Sequence, residues 1–378
     1  MKENRIKILF AGDFCSQHPE RIELSQNIVD LFNTCDFKFL NFEGPLAKGK
    51  LNIPNKTILP QSSTSPHWCE ENGFNIISLA NNHSLDYSVE GLLATKSSFK
   101  KSTTLGAGDW IEAYKVKFLS IDGVKIGFIA GTSYDFASLK DQWSDYNKIG
   151  CAWINSPEIN KQILENKDKC DYFFVISHGG LEYMDVPLPE WRDRYRELID
   201  LGADAVIAMH PHVPQGTETY KSKPIFYSLG NFYFDALGNN KPKYWDNGLF
   251  AIIEIENGNI YYNAIPTIRN GNIIDIDQSK EAEQHLNDIT LILKNNEKYM
   301  GQVNVDVLKL YPIYQQWLLS GFNAIEMKFN FRTILRIVYR MIFSSIKPNL
   351  KIAMHQLRED STRWALARAL KIMTKSNL

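Results

Sequence analysis

Five short apolar runs in this 378-residue chain each lead to a side chain able to bind a cation or carry a proton. Ile8-Leu9-Phe10-Ala11-Gly12 leads to Asp13, and Phe39-Leu40-Asn41-Phe42 leads to Glu43, just before Gly44. Ser78-Leu79-Ala80-Asn81 leads to Asn82 and His83, Val175-Ile176-Ser177 to His178, and Ile207-Ala208-Met209 to His210-Pro211-His212. An aspartate after a strand is more often a helix cap, and a lone histidine more often a satisfied core or surface group. Five such endings in one chain reverse that expectation. Mixed carboxylate, amide and imidazole ligands suit Mn²⁺, Fe²⁺ or Zn²⁺ better than Ca²⁺ or Mg²⁺, which prefer oxygen alone. The set contains no cysteine, which argues against a closed structural zinc site.

For these groups to meet, the runs must be strands of one layered domain whose ends converge on a common edge. Ile6 to Ala11, Phe37 to Asn41, Asn75 to Ala80, Tyr172 to Ser177, Ala205 to Met209 and Ile225 to Leu229 are mostly too apolar for half-solvated strands, and predict strands buried on both faces. Asp122-Gly123 and Asn257-Gly258, each between two apolar runs, predict tight hairpins, so antiparallel pairs mix with βα units. Ser88 to Lys101 and Glu190 to Leu201 predict helices, the second starting after Pro189 and stopping at Gly202. Beyond Ile276 long helical patterns take over, broken at Pro312 and Pro348. The division expected is an α/β domain over residues 1–277 and a helical, basic region over 278–378.

Hydrophobic residues make up 44% of the chain and charged residues 22%, which excludes collagen-like, disulfide-scaffold and wholly disordered classes. Five cysteines without paired spacing point to a reducing compartment. No signal-peptide pattern opens the sequence, and no stretch approaches the roughly 18 apolar residues of a spanning helix. A cytoplasmic protein, peripheral at the inner face of the membrane, is the expectation. The net charge of −1 conceals a polarity: residues 328–378 carry eleven Lys/Arg against Glu359 and Asp360, a local +9 that leaves −10 for the rest. Arg332, Arg336 and Arg340 align on one helical face, and Arg363, Trp364, Arg368 and Lys371 continue the theme. Such helices suit an anionic membrane surface or a synthase partner, or equally a pair packed on the main domain with solvated basic faces. Neither a helix-turn-helix signature nor an RNP-type string occurs, so no nucleic acid partner is expected.

Taken together, the motifs resemble the poly-γ-glutamate capsule-synthesis (CapA-type) family, a branch of the calcineurin-like metallophosphoesterases. The resemblance spans about Lys7 to Ile265. It is carried by Gly12-Asp13, Asn41-Phe42-Glu43-Gly44-Pro45, Leu79-Ala80-Asn81-Asn82-His83 with Asp86, His178-Gly179-Gly180 with Glu182-Tyr183, His210-Pro211-His212-Val213 with Gln215, and Tyr227-Ser228-Leu229-Gly230-Asn231-Phe232 with Phe234-Asp235. It implies a four-layer αββα sandwich with a C-terminal helical extension. It also implies roles: Asp13 and His212 on one metal, Asn82, His178 and His210 on the other, Glu43 between them, and His83, positioned by Asp86, as the proton donor. Glu182 joins His83 and Asp86 as a third candidate catalytic group, at the pocket rim with Gln215. Two positions depart from the pattern. Asp13-Phe14-Cys15 lacks the imidazole of the superfamily's Asp-x-His, and Gly179 replaces the tryptophan that usually follows the fourth-motif histidine, implying an opening beside Glu182. Asn231 reads as a turn former or a substrate contact, and Tyr227, Phe232 and Phe234 as core.

Three functions are compatible with this reading. The first is a metal-dependent hydrolase acting on a phosphate ester or amide of an anionic polymer or its phosphorylated precursor. The others are a non-catalytic polymer-binding component of a capsule assembly, and a metal-poor acid–base epimerase.

Overall fold

A computed structural model describes residues 5–51, 57–140, 148–235, 241–321 and 357–375. It divides into two compact units, Met1–Met300 and Gly301–Leu378. In the first, the apolar runs fold as strands because their side chains have buried partners on both faces. Ala205–Met209 is buried at every position, and Tyr172–His178 at all but its first. Both hairpins form where the sequence places them. Asp122 and Gly123 take φ of 49° and 82°, Asn257 and Gly258 49° and 80°, so positive φ at both central residues matches the twist of the flanking strands. The helix Pro189–Leu201 starts on its proline and stops at Gly202, φ 122°.

Two sheets carry the unit. The larger, of nine strands, has the order Glu23–Leu24, Ile273–Ile276, Asn259–Asn270, Asn247–Glu256, Arg5–Cys15, Phe37–Phe42, Ile76–Ser78 and Thr103–Leu105, with Asn231–Phe234 also paired to Arg5–Cys15. The six-stranded sheet runs Pro214–Tyr220, Lys223–Leu229, Ala205–Met209, Tyr172–His178, Val124–Thr132 and Lys117–Ile121. They meet face to face: Phe10 of the first sheet sets its ring 6.1 Å from that of Phe174 in the second, edge to face. Outside the first sheet lies the helix Gln26–Asn33, whose Phe32 meets Phe250 at 5.8 Å; outside the second lies Pro189–Leu201, whose Tyr195 stacks on Tyr227 at 5.9 Å. The architecture is therefore the four-layer αββα sandwich.

The central strand Arg5–Cys15 is irregular just before its functional end. Its register with Phe37–Phe42 slips between Phe10 and Asp13, a bulge of the kind that re-aims a side chain. A Cβ on Gly12 would stand 2.0 Å from the Gly230 carbonyl oxygen, and Asp13 donates its backbone N–H to that same oxygen at 3.0 Å. Gly12→Ala must push two backbones apart, so a loss of about 3 kcal/mol or more in unfolding free energy is expected in urea denaturation.

The alternation of strands ends near Gln278, yet the compact unit continues to Met300. The helix Lys280–Leu291 lies on the strand Pro214–Tyr220 so closely that a Cβ on Gly216 would sit 2.2 Å from the Ile289 carbonyl oxygen. Arg192 donates from Nη2 to the Leu293 carbonyl at 2.7 Å. Arg332, Arg336, Arg340 and Pro348 lie outside the described residues. In the second unit, Arg363, Trp364, Arg368 and Lys371 lie on the helix Asp360–Lys375, with Arg363 and Lys371 exposed and Ala365 and Ala369 buried. Among the described residues no helix is long and apolar enough to cross a membrane.

Candidate metal centre

Asp13 occupies the middle of the site because its strand is the middle of its sheet. In parallel register it faces Asn41 on one side and Asn231 on the other. Asn41 donates from Nδ2 to Asp13 Oδ1 at 2.7 Å, and the backbone N–H of His210 reaches Asp13 Oδ2 at 3.1 Å. Glu43 follows Asn41 by two residues, the spacing that keeps side chains on one face of a strand. Both carboxylates are completely buried.

The second sheet supplies the imidazoles. His178 ends its strand, with Nδ1 3.5 Å from Asp13 Oδ1 and Nε2 3.0 Å from Asn82 Oδ1 and 3.1 Å from His210 Nδ1. His210 and His212 flank Pro211 just beyond Met209, and both hold positive φ, 105° and 59°. Non-glycine residues adopt such backbones at a cost, accepted here where both rings stand beside the buried carboxylates. His212 Nδ1 lies 3.0 Å from Asn231 Oδ1 and 3.6 Å from Asp13 Oδ2. Glu43 Oε1 stands 3.7 Å from His212 Nε2 and 3.9 Å from the Nε2 atoms of both His178 and His83. His83 in turn places Nδ1 2.7 Å from Asp86 Oδ2, which also accepts the Leu59 backbone N–H at 3.0 Å.

All nine candidate residues thus fall in one region, and two overlapping groups have ligand atoms within 4.8 Å of one another: Asp13, Glu43 and His212, and Glu182, His210 and His212. Burial pushes the Asp13 carboxyl up to about 6, against the opposing pull of His212 and Asn41. Burial also holds His178 and His210 well below the ordinary imidazole value, with neighbouring imidazoles adding to the effect. His212 is lowered by burial as well, opposed by Asp13 and Asn231. Neutral imidazoles beside carboxylates are the protonation state that ligates metal. Ligands about 2.0–2.2 Å from a shared ion stand roughly 3–4 Å apart, which matches the spacing around Glu43. Asn41 Oδ1 is buried and accepts no hydrogen bond among the described residues. The residues present therefore could hold a metal ion.

Three expectations change in detail. The opening beside Glu182 is absent at Gly179: the indole of Trp191 fills that space, and a Cβ there would stand 2.6 Å from Trp191 Cη2. Gln215 is a buried brace, donating from Nε2 to the Met184 carbonyl at 2.9 Å. Phe234 is not only core, since its ring meets His212 edge-on at 4.9 Å; Tyr227 is tied by its hydroxyl to Glu218, which also holds Arg192 and Arg196. Cys15, where an imidazole would complete Asp-x-His, is buried among Leu59, Phe234 and Trp245, and burial raises its thiol well above the ordinary value. Sequence reasoning missed Asn41 as a partner of Asp13, although its two-residue spacing from Glu43 was visible. It also missed Trp245, whose ring lies 5.0 Å from His212 and which no motif marks.

The sequence profile of the bacterial capsule synthesis protein family PGA_cap matches residues 7–236. The capsule biosynthesis protein CapA of Bacillus anthracis is 31% identical over 252 residues, 64% of this chain and 60% of that protein. The PGA biosynthesis protein CapA of Bacillus subtilis (strain 168) is 32% identical over 219 residues, 56% of each. The chain thus matches less than two thirds of the length of these relatives. Among solved structures, a hypothetical protein from Thermus thermophilus superposes with a TM-score of 0.45 at 15% identity, covering 70% of this chain and 100% of that one.

Proposed function

The chain belongs to the bacterial capsule synthesis PGA_cap family, and from that premise we propose that its first compact unit is a metal-dependent hydrolase domain. Its substrate would be a phosphate ester or amide in an anionic cell-envelope polymer or phosphorylated precursor. One observation carries the reading: Glu43 Oε1 lies 3.7–3.9 Å from three imidazole Nε2 atoms inside a buried pocket. Asp13, Glu43 and His212 would hold one ion, and Asn82, His178 and His210 a second where one binds. A divalent cation supplies Lewis-acid polarisation and an acidified water.

The chain's own residues do the rest. Asp86 accepts from Nδ1 of His83, so the proton that His83 can give or take is the one on Nε2, which faces Glu43. That places His83 to protonate a leaving group. Glu182, half-buried beside His210 and His212, can orient an incoming nucleophile or substrate amide. The basic helix Asp360–Lys375 would contact an anionic membrane surface or a synthase from the inner face of the membrane.

Elemental analysis of the purified protein tests the metal, expected as stoichiometric Mn, Fe or Zn, and hydrolysis of an aryl phosphate or a γ-glutamyl amide tests the reaction. Protein lacking transition metal, and unaffected in its biological role by His83→Ala, would sink the hydrolase and leave polymer binding. Acidity should weaken metal binding. The Asp13 carboxyl has its pKa raised from 3.8 to about 6, so its proton favours the metal-free fold fully below 3.8 and ceases to do so as pH rises through about 6. Added metal should therefore raise the melting temperature more at pH 7.5 than at 5.5 in a thermal-shift measurement; an equal or reversed gain contradicts the assignment of Asp13.

A further inference from the structure

We infer that Asn231 is the positioning residue that fixes which nitrogen of His212 faces the metal, a step that rests on the reading of His212 as a ligand. The carboxamide has only one workable orientation. Its Nδ2 sits 3.0 Å from the Trp245 carbonyl oxygen, a pure acceptor, so the atom there must be the NH₂ group. Oδ1 is then the atom 3.0 Å from His212 Nδ1. Because that oxygen can only accept, Nδ1 must carry the hydrogen, and the lone pair of the neutral ring is left on Nε2. Nε2 is the nitrogen that stands 3.7 Å from Glu43 Oε1.

The two side chains are closely packed. Asn231 is the register partner of Asp13, and a Cβ on Gly248 would sit 2.3 Å from the Asn231 carbonyl oxygen, so the backbone beneath the carboxamide cannot drift. His212 is held edge-on by Phe234 at 4.9 Å and covered by Trp245 at 5.0 Å. Trp245 thus does two things, packing its ring on the imidazole and offering its carbonyl to the amide that orients the imidazole. It lies outside residues 7–236, so the support for this ligand reaches beyond the part of the chain that the family profile matches.

Nitrogen-15 spectra of the histidine rings in metal-free full-length protein read the tautomer directly, and need neither activity nor metal. Wild type should show His212 with hydrogen on Nδ1. Asn231→Asp keeps an acceptor against Nδ1 while giving up the donor to Trp245, and should keep that tautomer. Asn231→Leu should shift it toward Nε2–H and weaken binding of Mn²⁺ or Zn²⁺ by ~10- to 100-fold, the usual effect of removing a partner behind a ligating imidazole. Hydrogen on Nε2 in wild type overturns the inference. So does Asn231→Asp losing the tautomer and the metal as completely as Asn231→Leu, since the residue would then act only by anchoring Trp245. A wild-type protein with the expected tautomer but no affinity for either ion would instead count against the metal-centre reading alone.

Discussion

Glu43→Gln is expected to leave the fold intact, abolish stoichiometric metal and remove hydrolysis to below a thousandth of wild type. The glutamine keeps the volume of a side chain buried completely at the centre of the pocket, but not the charge that three imidazoles surround. Losing that anionic group leaves a set dominated by neutral donors. The same substitution should stabilise the metal-free protein by about 1–3 kcal/mol, because two buried carboxylates at one site cost solvation that a neutral amide does not. Denaturant titration with and without metal checks both halves. A variant that retains metal at wild-type affinity would show that Glu43 is not a ligand.

His83→Asn should separate chemistry from metal binding. Turnover is expected to fall by about 10²- to 10⁴-fold, the usual worth of a positioned proton donor, while metal content stays near that of wild type. Asp86→Asn should fall in between: it retains a hydrogen-bonding group beside Nδ1 but loses the carboxylate that favours a charged ring. The loss should also be smaller for substrates whose leaving group departs without a proton. Equal losses for aryl and alkyl phosphates would count against His83 as the acid, and metal lost from the variant would make it a ligand.

The clustering was legible in the sequence wherever a strand ran straight into a candidate ligand. Asp13 and His210 each follow an uninterrupted apolar run and His178 one broken only by Ser177, and burial on both faces leaves little choice but a central strand ending at a polar edge. The hairpins were legible for a local reason, because Asp-Gly and Asn-Gly tolerate the required φ. Lateral relationships were not. Nothing local says that Asn41 and Asn231 flank Asp13, since sheet register is decided by strands 28 and 218 residues apart in the chain. Trp191 against Gly179 is a similar case: the indole that fills the space beside the glycine comes from a neighbouring helix, which only packing can reveal. The helix Lys280–Leu291 joins the first unit for the same reason, by fitting over a glycine in a strand too polar to read as one.

Asp13, Glu43 and Asn231 belong to one sheet, while His178, His210 and His212 belong to the other. An ion gripped by both would be a rivet driven through the sandwich, its hold set by how stiffly the two layers keep their spacing. Remote contacts such as Phe10 against Phe174 would then act as tuning screws for affinity, and variation far from the pocket would retune cation preference with every candidate ligand unchanged.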